Sequence, residues 1–258
     1  MRSFELTFLG TRGGIEAHSR RHRYHSALLI QGNDARIMID CGADWLDRVR
    51  RIAPTAIVLT HAHPDHAGGL IRGAPCPVYA TEETLNLIRR YPIRDRRQIP
   101  LRRSITIERV KFKAFPVEHS IRAPAVGYRV STAARDFFYV SDVANLPDPA
   151  DALRGVALYI GDGATIKRSM VRKQKGTMVG HAPVTTQLGW CAKAHVRRAI
   201  FTHCGSPVVR GDARVLNALV HQIGHEHGVD ARLASDGDRL TLDDSLHQTR
   251  AFKNWPVT

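Results

Sequence analysis

Apolar residues recur in short runs with alternating or continuous burial character, broken by turn residues, and only a few stretches have helical spacing. The pattern predicts strands over 4–9, 27–30, 36–39, 56–59 and 77–80. It predicts a hairpin from 105–110 and 111–117, then strands over 126–130, 136–140, 158–160 and 199–201. The last two, 231–234 and 239–242, flank the turn Ser235-Asp236-Gly237-Asp238. Helices are predicted over 44–51, from an N-capping Thr81 with Glu82 and Glu83 in its first turn, over 184–195 and over 212–227. Residues 91–104, rich in Pro and Arg, read as a loop. Strand-rich halves that each carry helices predict an α/β layered sandwich, taken as a single domain over 1–258.

No apolar run is long enough to span a membrane, and the N-terminal stretch alternates like a first strand and lacks the core of a signal peptide. The four cysteines, Cys41, Cys76, Cys191 and Cys204, have no metal-knuckle spacing. Free thiols in a cytoplasmic chain are expected, with Cys204 a small buried residue. The formal charge of +14, from 38 Lys and Arg against 24 Asp and Glu, suits a polyanionic partner. It equally suits an Arg-rich background of solvated faces.

The densest chemistry is Thr60-His61-Ala62-His63-Pro64-Asp65-His66-Ala67-Gly68-Gly69, delivered by the strand at 56–59. Three imidazoles and a carboxylate in six residues are costly to bury unpaired, and they are the ligand types of zinc, iron and manganese. Further ligand-type residues follow other strand ends: His119, Asp142 and His203. Strand ends are where sites gather in layered α/β proteins. Asp40, also at a strand end, is either a simple turn carboxylate or a hydrogen-bond partner of a ligand imidazole.

The H-x-H-x-D-H order, followed by a later His, an Asp and a final His, resembles the metallo-β-lactamase superfamily over nearly the whole chain. That resemblance implies a four-layer αββα sandwich. It implies two divalent ions, zinc foremost, with manganese, iron or nickel also accepted. The first would be held by His61, His63 and His119, the second by Asp65, His66 and His203, with Asp142 bridging. A metal-bound hydroxide, steered by Asp65, would then attack the substrate.

Two segments resemble the tRNase Z and cyclic-phosphate phosphodiesterase branch. One is the opening Phe8-Leu9-Gly10-Thr11-Arg12-Gly13-Gly14. The other runs from Gly161-Asp162-Gly163-Ala164-Thr165 to Gly180-His181-Ala182-Pro183. By that resemblance His181 contacts the scissile phosphate or protonates the leaving oxygen, and Asp162 orients it. This chain departs in having Asp, with an inserted Gly, where the branch has Glu. Between them Lys167, Arg168, Arg172, Lys173 and Lys175 form either a phosphate-binding or a solvated segment.

The expected function is phosphodiester hydrolysis on a nucleotide, cyclic phosphate or nucleic-acid end, with no membrane partner and a homodimer allowed by analogy. The alternatives are a thioester, lactone or β-lactam hydrolase on the same fold, and a nucleic-acid-binding protein with a structural metal site.

Overall fold

In the computed structural model, which describes residues 4–32 and 35–242, two seven-stranded sheets face one another. The strands in chain order are β1 (Phe4–Gly10), β2 (Ala27–Gly32), β3 (Ala35–Ile39), β4 (Ala56–Val58), β5 (Val78–Ala80), β6 (Arg96–Gln98), β7 (Ser104–Ile107) and β8 (Val110–Val117). They continue with β9 (Ala125–Ser131), β10 (Asp136–Tyr139), β11 (Leu158–Asp162), β12 (Arg172–Gln174), β13 (Thr177–Val179), β14 (Arg198–Thr202), β15 (Asp230–Leu233) and β16 (Arg239–Leu242). The helices are α1 (Val49–Ile52), α2 (Pro64–Ala67), α3 (Glu82–Leu87), α4 (Pro149–Leu153), α5 (Val184–Lys193), α6 (Ser206–Arg210) and α7 (Ala213–Glu226). The first sheet runs β16-β1-β2-β3-β4-β5-β6 and the second β15-β14-β11-β10-β9-β8-β7.

The sequence pattern explains the four layers. Phe4, Leu6, Leu28, Ile30 and Ile37 of the first sheet share one buried cluster with Phe112, Tyr128, Phe137 and Ile160 of the second. The alternate residues face outward and are buried as well. Leu29, Met38 and Ile57 pack with Trp45, Val49 and Ile88. Phe138, Tyr159 and Phe201 pack with Leu188, Val220 and Ile223. Strands buried on both faces read as nearly continuous apolar runs, which is why 137–140 and 158–160 lack alternation.

Parallel pairing brings strand ends together. β3, β4, β5 and β6 are mutually parallel, as are β10, β11, β14 and β15. Their carboxyl ends release Asp40, the 60–66 segment, Asp142, Asp162 and His203 into one region.

Several expectations are corrected. The segment 91–104 is not all loop, because Arg96–Gln98 extends the first sheet as an edge strand. A short, charged edge strand carries no apolar signal and resists edge pairing. The helix expected over 44–51 is split into a 3-10 turn at Ala43–Trp45 and α1. The hairpin expected to turn at 110/111 turns at Glu108 and Arg109, both at positive φ. The basic segment contains the hairpin β12–β13, and the short helices α4 and α6 escaped the pattern. Residues 1–3, 33–34 and 243–258 of the single-domain expectation lie outside the described residues. Among the described residues no helix is long and apolar enough to cross a membrane. All four cysteines are free, and Cys204 is fully buried.

Arg96 ties this edge to α3. Its guanidinium donates to the carbonyls of Leu85, Ile88, Arg89, Tyr91 and Ile93, at the end of α3 and in the turn after it. Arg96→Ala is therefore expected to lower stability by about 2–3 kcal/mol, read from denaturant unfolding. A change below about 0.5 kcal/mol would show that water replaces these bonds without cost.

Candidate metal centre and acid–imidazole pair

The orientations of three site imidazoles, His61, His66 and His119, are set by partners on the far side of the ring. Thr60 Oγ1 lies 2.9 Å from Asp40 Oδ1 and 3.0 Å from His61 Nδ1. Its one proton goes to the carboxylate, so it accepts from His61 Nδ1–H and leaves His61 Nε2 bare. His66 Nδ1 donates to Asp40 Oδ2 at 2.9 Å, and His119 Nδ1 to the Gly180 carbonyl at 3.0 Å. His119 Nε2 is likewise left as an acceptor, and His66 Nε2 is turned toward the site. Asp40 is thus the hydrogen-bond partner of a site imidazole, held at φ 63°. His203 is held at φ 54°. Such left-handed conformations in non-glycine residues cluster where a site over-determines the backbone.

The ring nitrogens converge. His61 Nε2 is 3.0 Å from His63 Nδ1, which is 3.3 Å from His119 Nε2. A tetrahedral zinc with bonds of about 2.0–2.1 Å has ligand–ligand edges of roughly 3.3 Å. A second set follows: Asp65 Oδ2 lies 3.3 Å from His66 Nε2 and 3.1 Å from His203 Nε2. Asp142 sits between the sets, 2.9 Å from His66 Nε2, 3.5 Å from His119 Nε2 and 3.4 Å from His203 Nε2. His66 Nε2 and Asp142 Oδ2 are buried and make no aligned hydrogen bond despite their proximity. A ring nitrogen and a carboxylate oxygen this close without an aligned bond fit a cation between them.

Charge supports the fit. Burial pushes His61, His63 and His119 below the usual imidazole range, which keeps them in the neutral, ligating form. Burial opposes charge on His66 and His203 too, but Asp142 and the neighbouring carboxylates override it, raising His66 well above its usual value and His203 to about 10. Protons on these two rings answer a negative charge that a divalent ion at the same atoms would also answer. Five triplets of His and Asp can hold an ion, and no cysteine belongs to any of them among the described residues.

His181 and Asp162 stand beside this centre. His181 Nδ1 bonds Asp162 Oδ2 at 2.7 Å and lies 3.9 Å from Asp142 Oδ1. Asp162 also accepts from the Val143 and Ala164 amides at 3.1 and 2.8 Å. Burial works against the imidazolium of His181, and Asp162 outweighs it, raising the ring above its usual value. His63, Asp65, His119, Asp142, His181 and His203 all line a cleft of ≈ 890 Å³, whereas His61, His66 and Asp162 lie behind it. Lys167, Arg168 and Arg172 also line it. Lys173 and Lys175 are exposed but do not.

Sequence reasoning missed three supports. Thr60 is one. Gln187, fully buried in α5, donates to the Asp162 and Ala182 carbonyls at 2.7 and 2.9 Å and accepts from the Asp162 amide at 3.0 Å. An amide at a buried helix position was the available signal. The third is the Gly13–Gly14 turn: a Cβ on Gly13 would lie 3.0 Å from His203 Cε1, and one on Gly14 2.7 Å from Asp65 Oδ2. Gly14 is exposed, so Gly14→Ala is expected to leave folding intact and displace Asp65. Metal affinity should fall about tenfold or more in a chelator competition.

Residues 35–204 match the β-lactamase superfamily domain family. A ribonuclease Z from Methanopyrus kandleri is 27% identical over 148 residues, 51% of each chain. The chain thus spans about half the length of that curated relative. The metallo-β-lactamase fold protein YhfI from Bacillus subtilis superposes with a TM-score of 0.75 at 15% identity, covering 93% of this chain and 100% of the other. A diphosphatase from the PhnP family gives 0.69 at 21%, covering 92% and 97%. Taken with the two-sheet architecture, these matches show that the chain belongs to the β-lactamase superfamily and has the metallo-β-lactamase fold.

Proposed function

We propose that this chain is a metal-dependent phosphodiesterase, a cytoplasmic hydrolase whose substrate is a nucleotide, a cyclic phosphate or a nucleic-acid end. In this reading His61, His63 and His119 hold one divalent ion and Asp65, His66 and His203 the other, with Asp142 shared. Zinc suits the donors best, and manganese, iron and nickel are accepted by the same chemistry. Such ions supply Lewis-acid charge and lower the pKa of water towards neutrality. Asp65, whose side chain is 15% exposed against 3% for Asp142, accepts a hydrogen bond from the attacking water and orients it. His181, held at Nδ1 by Asp162, turns Nε2 to the leaving ester oxygen and protonates it. Lys167, Arg168 and Arg172 offset the charge of the phosphate.

The observation that carries this reading is the 2.7 Å Asp162–His181 bond beside the metal-type clusters. Hydrolysis of a thioester, lactone or β-lactam has less use for a second acid–imidazole pair and a cationic arc. The likeness to a ribonuclease Z and to a diphosphatase supports the same choice. A structural metal site in a nucleic-acid-binding protein is opposed by an open cleft and a donor set without cysteine.

The test is metal-stripped protein refilled separately with zinc, manganese or nickel, offered bis-p-nitrophenyl phosphate, a thioester, a lactone and a β-lactam. Metal-dependent turnover of the phosphodiester is expected. Turnover confined to a carbonyl substrate would reassign the enzyme to the rival hydrolases.

A further inference from the structure

The cleft is chemically divided. Beyond the His and Asp floor, part of its lining is apolar: Ile15, Ile166, Val208, Leu216 and Leu219, with Met170 also contributing. These residues come from the loop after the Gly13–Gly14 turn, the segment after β11, and helices α6 and α7. Ile15, Leu216 and Leu219 pack, only partly buried, against the same cluster that buries Ile166 and Val208. Met170 is 48% exposed. The rest of the lining carries Lys167, Arg168 and Arg172.

A phosphate group alone explains the floor and the cations. It does not explain apolar side chains of one cluster lining the same space, because polar side chains there would meet water at no cost. The volume points the same way. At ≈ 890 Å³ the cleft lies in the range that holds a small organic molecule, far larger than a lone phosphate needs. Apolar lining with a few polar groups fixing orientation is the pattern of a small-molecule site.

We propose that the cleft is a two-part site, in which the apolar surface around Leu216 and Leu219 receives one ring-sized apolar ester arm while the phosphate sits on the floor beside the cations. This rests on the phosphodiesterase reading and narrows its substrate to a small ester with at least one flat, weakly polar substituent. The arm is recognised by burial, so its preference follows size and apolarity.

The probes are phenylphosphonate and methylphosphonate, titrated calorimetrically into the zinc-loaded protein. Both present the same anion, and only one carries a ring. Phenylphosphonate is expected to bind about tenfold more tightly. Leu219→Gln should remove most of that preference while leaving methylphosphonate affinity unchanged, which also reports that the variant is folded. Met170→Gln, at an exposed position that the fold does not need, should reduce the preference in the same direction. Val215→Gln, on α7 but outside the cleft lining and 64% exposed, should change neither affinity.

Equal affinity for the two phosphonates, or a preference that survives both Leu219→Gln and Met170→Gln, overturns the proposal. Hydrolysis of bis-p-nitrophenyl phosphate by the same preparation separates the two levels. Turnover without a phenyl preference removes the apolar subsite alone, whereas a protein inactive with every metal removes the phosphodiesterase reading itself.

Discussion

Asp142→Asn is expected to lower phosphodiester turnover by about 10³-fold or more and to loosen metal at both clusters together. Asp142 faces imidazoles of both ligand sets. Its carboxylate lies within 3.5 Å of His66, His119 and His203 Nε2, and it is 3% exposed. Asparagine preserves shape, so the variant should remain folded by circular dichroism. It removes a formal charge and aims an amide N–H₂ where a lone pair is needed. Bound metal, counted by elemental analysis after gel filtration, should fall well below the wild-type content. Near-normal metal content with near-normal turnover would show that Asp142 is not shared between two ions.

His181→Ala should separate chemistry from metal binding. Its ring packs against those of His119 and His203, at centroid distances of 5.0 and 5.5 Å, but it belongs to neither ligand set of this reading, so metal content should stay near the wild-type level. A positioned acid contributes about 10²–10⁴-fold. That loss should appear in full with an alkoxide leaving group, as in a 2′,3′-cyclic nucleotide, and be much smaller with p-nitrophenolate, which departs without a proton. Gln187→Leu, which removes the amide holding the Asp162 backbone, should give a weaker version of the same leaving-group dependence. An undiminished rate on the cyclic nucleotide in the His181 variant would end the acid assignment.

The layered architecture was legible because its strands are buried on both faces. Phe137, Phe138 and Tyr139 are each at most 1% exposed, so the apolar run could not be mistaken for a surface strand. That the candidate site residues would come together was legible because they follow strand ends, and parallel pairing aligns those ends whatever the sequence distance between them. Elements with no apolar face were not legible. Arg96–Gln98 and Arg172–Gln174 are polar on exposed positions, and pairing shows only in backbone hydrogen bonds. For the β12–β13 hairpin a local cue existed in Lys175-Gly176, a Gly-containing turn whose two residues both adopt positive φ. Contacts between distant segments were out of reach. Nothing in Gly13-Gly14 announces that it lies against His203 and Asp65, and nothing in Ile15 or Leu219 announces a shared cleft.

The most direct measurement is a metal titration. Protein stripped with chelator receives zinc in fractions of an equivalent while hydrolysis of bis-p-nitrophenyl phosphate is followed. A rate that starts near zero, rises with zinc and levels off at about two equivalents per chain is expected from the paired donor sets. Hydrolysis undiminished by stripping, or none at saturation with zinc, manganese or nickel, would contradict metal-dependent phosphodiester hydrolysis in this cleft.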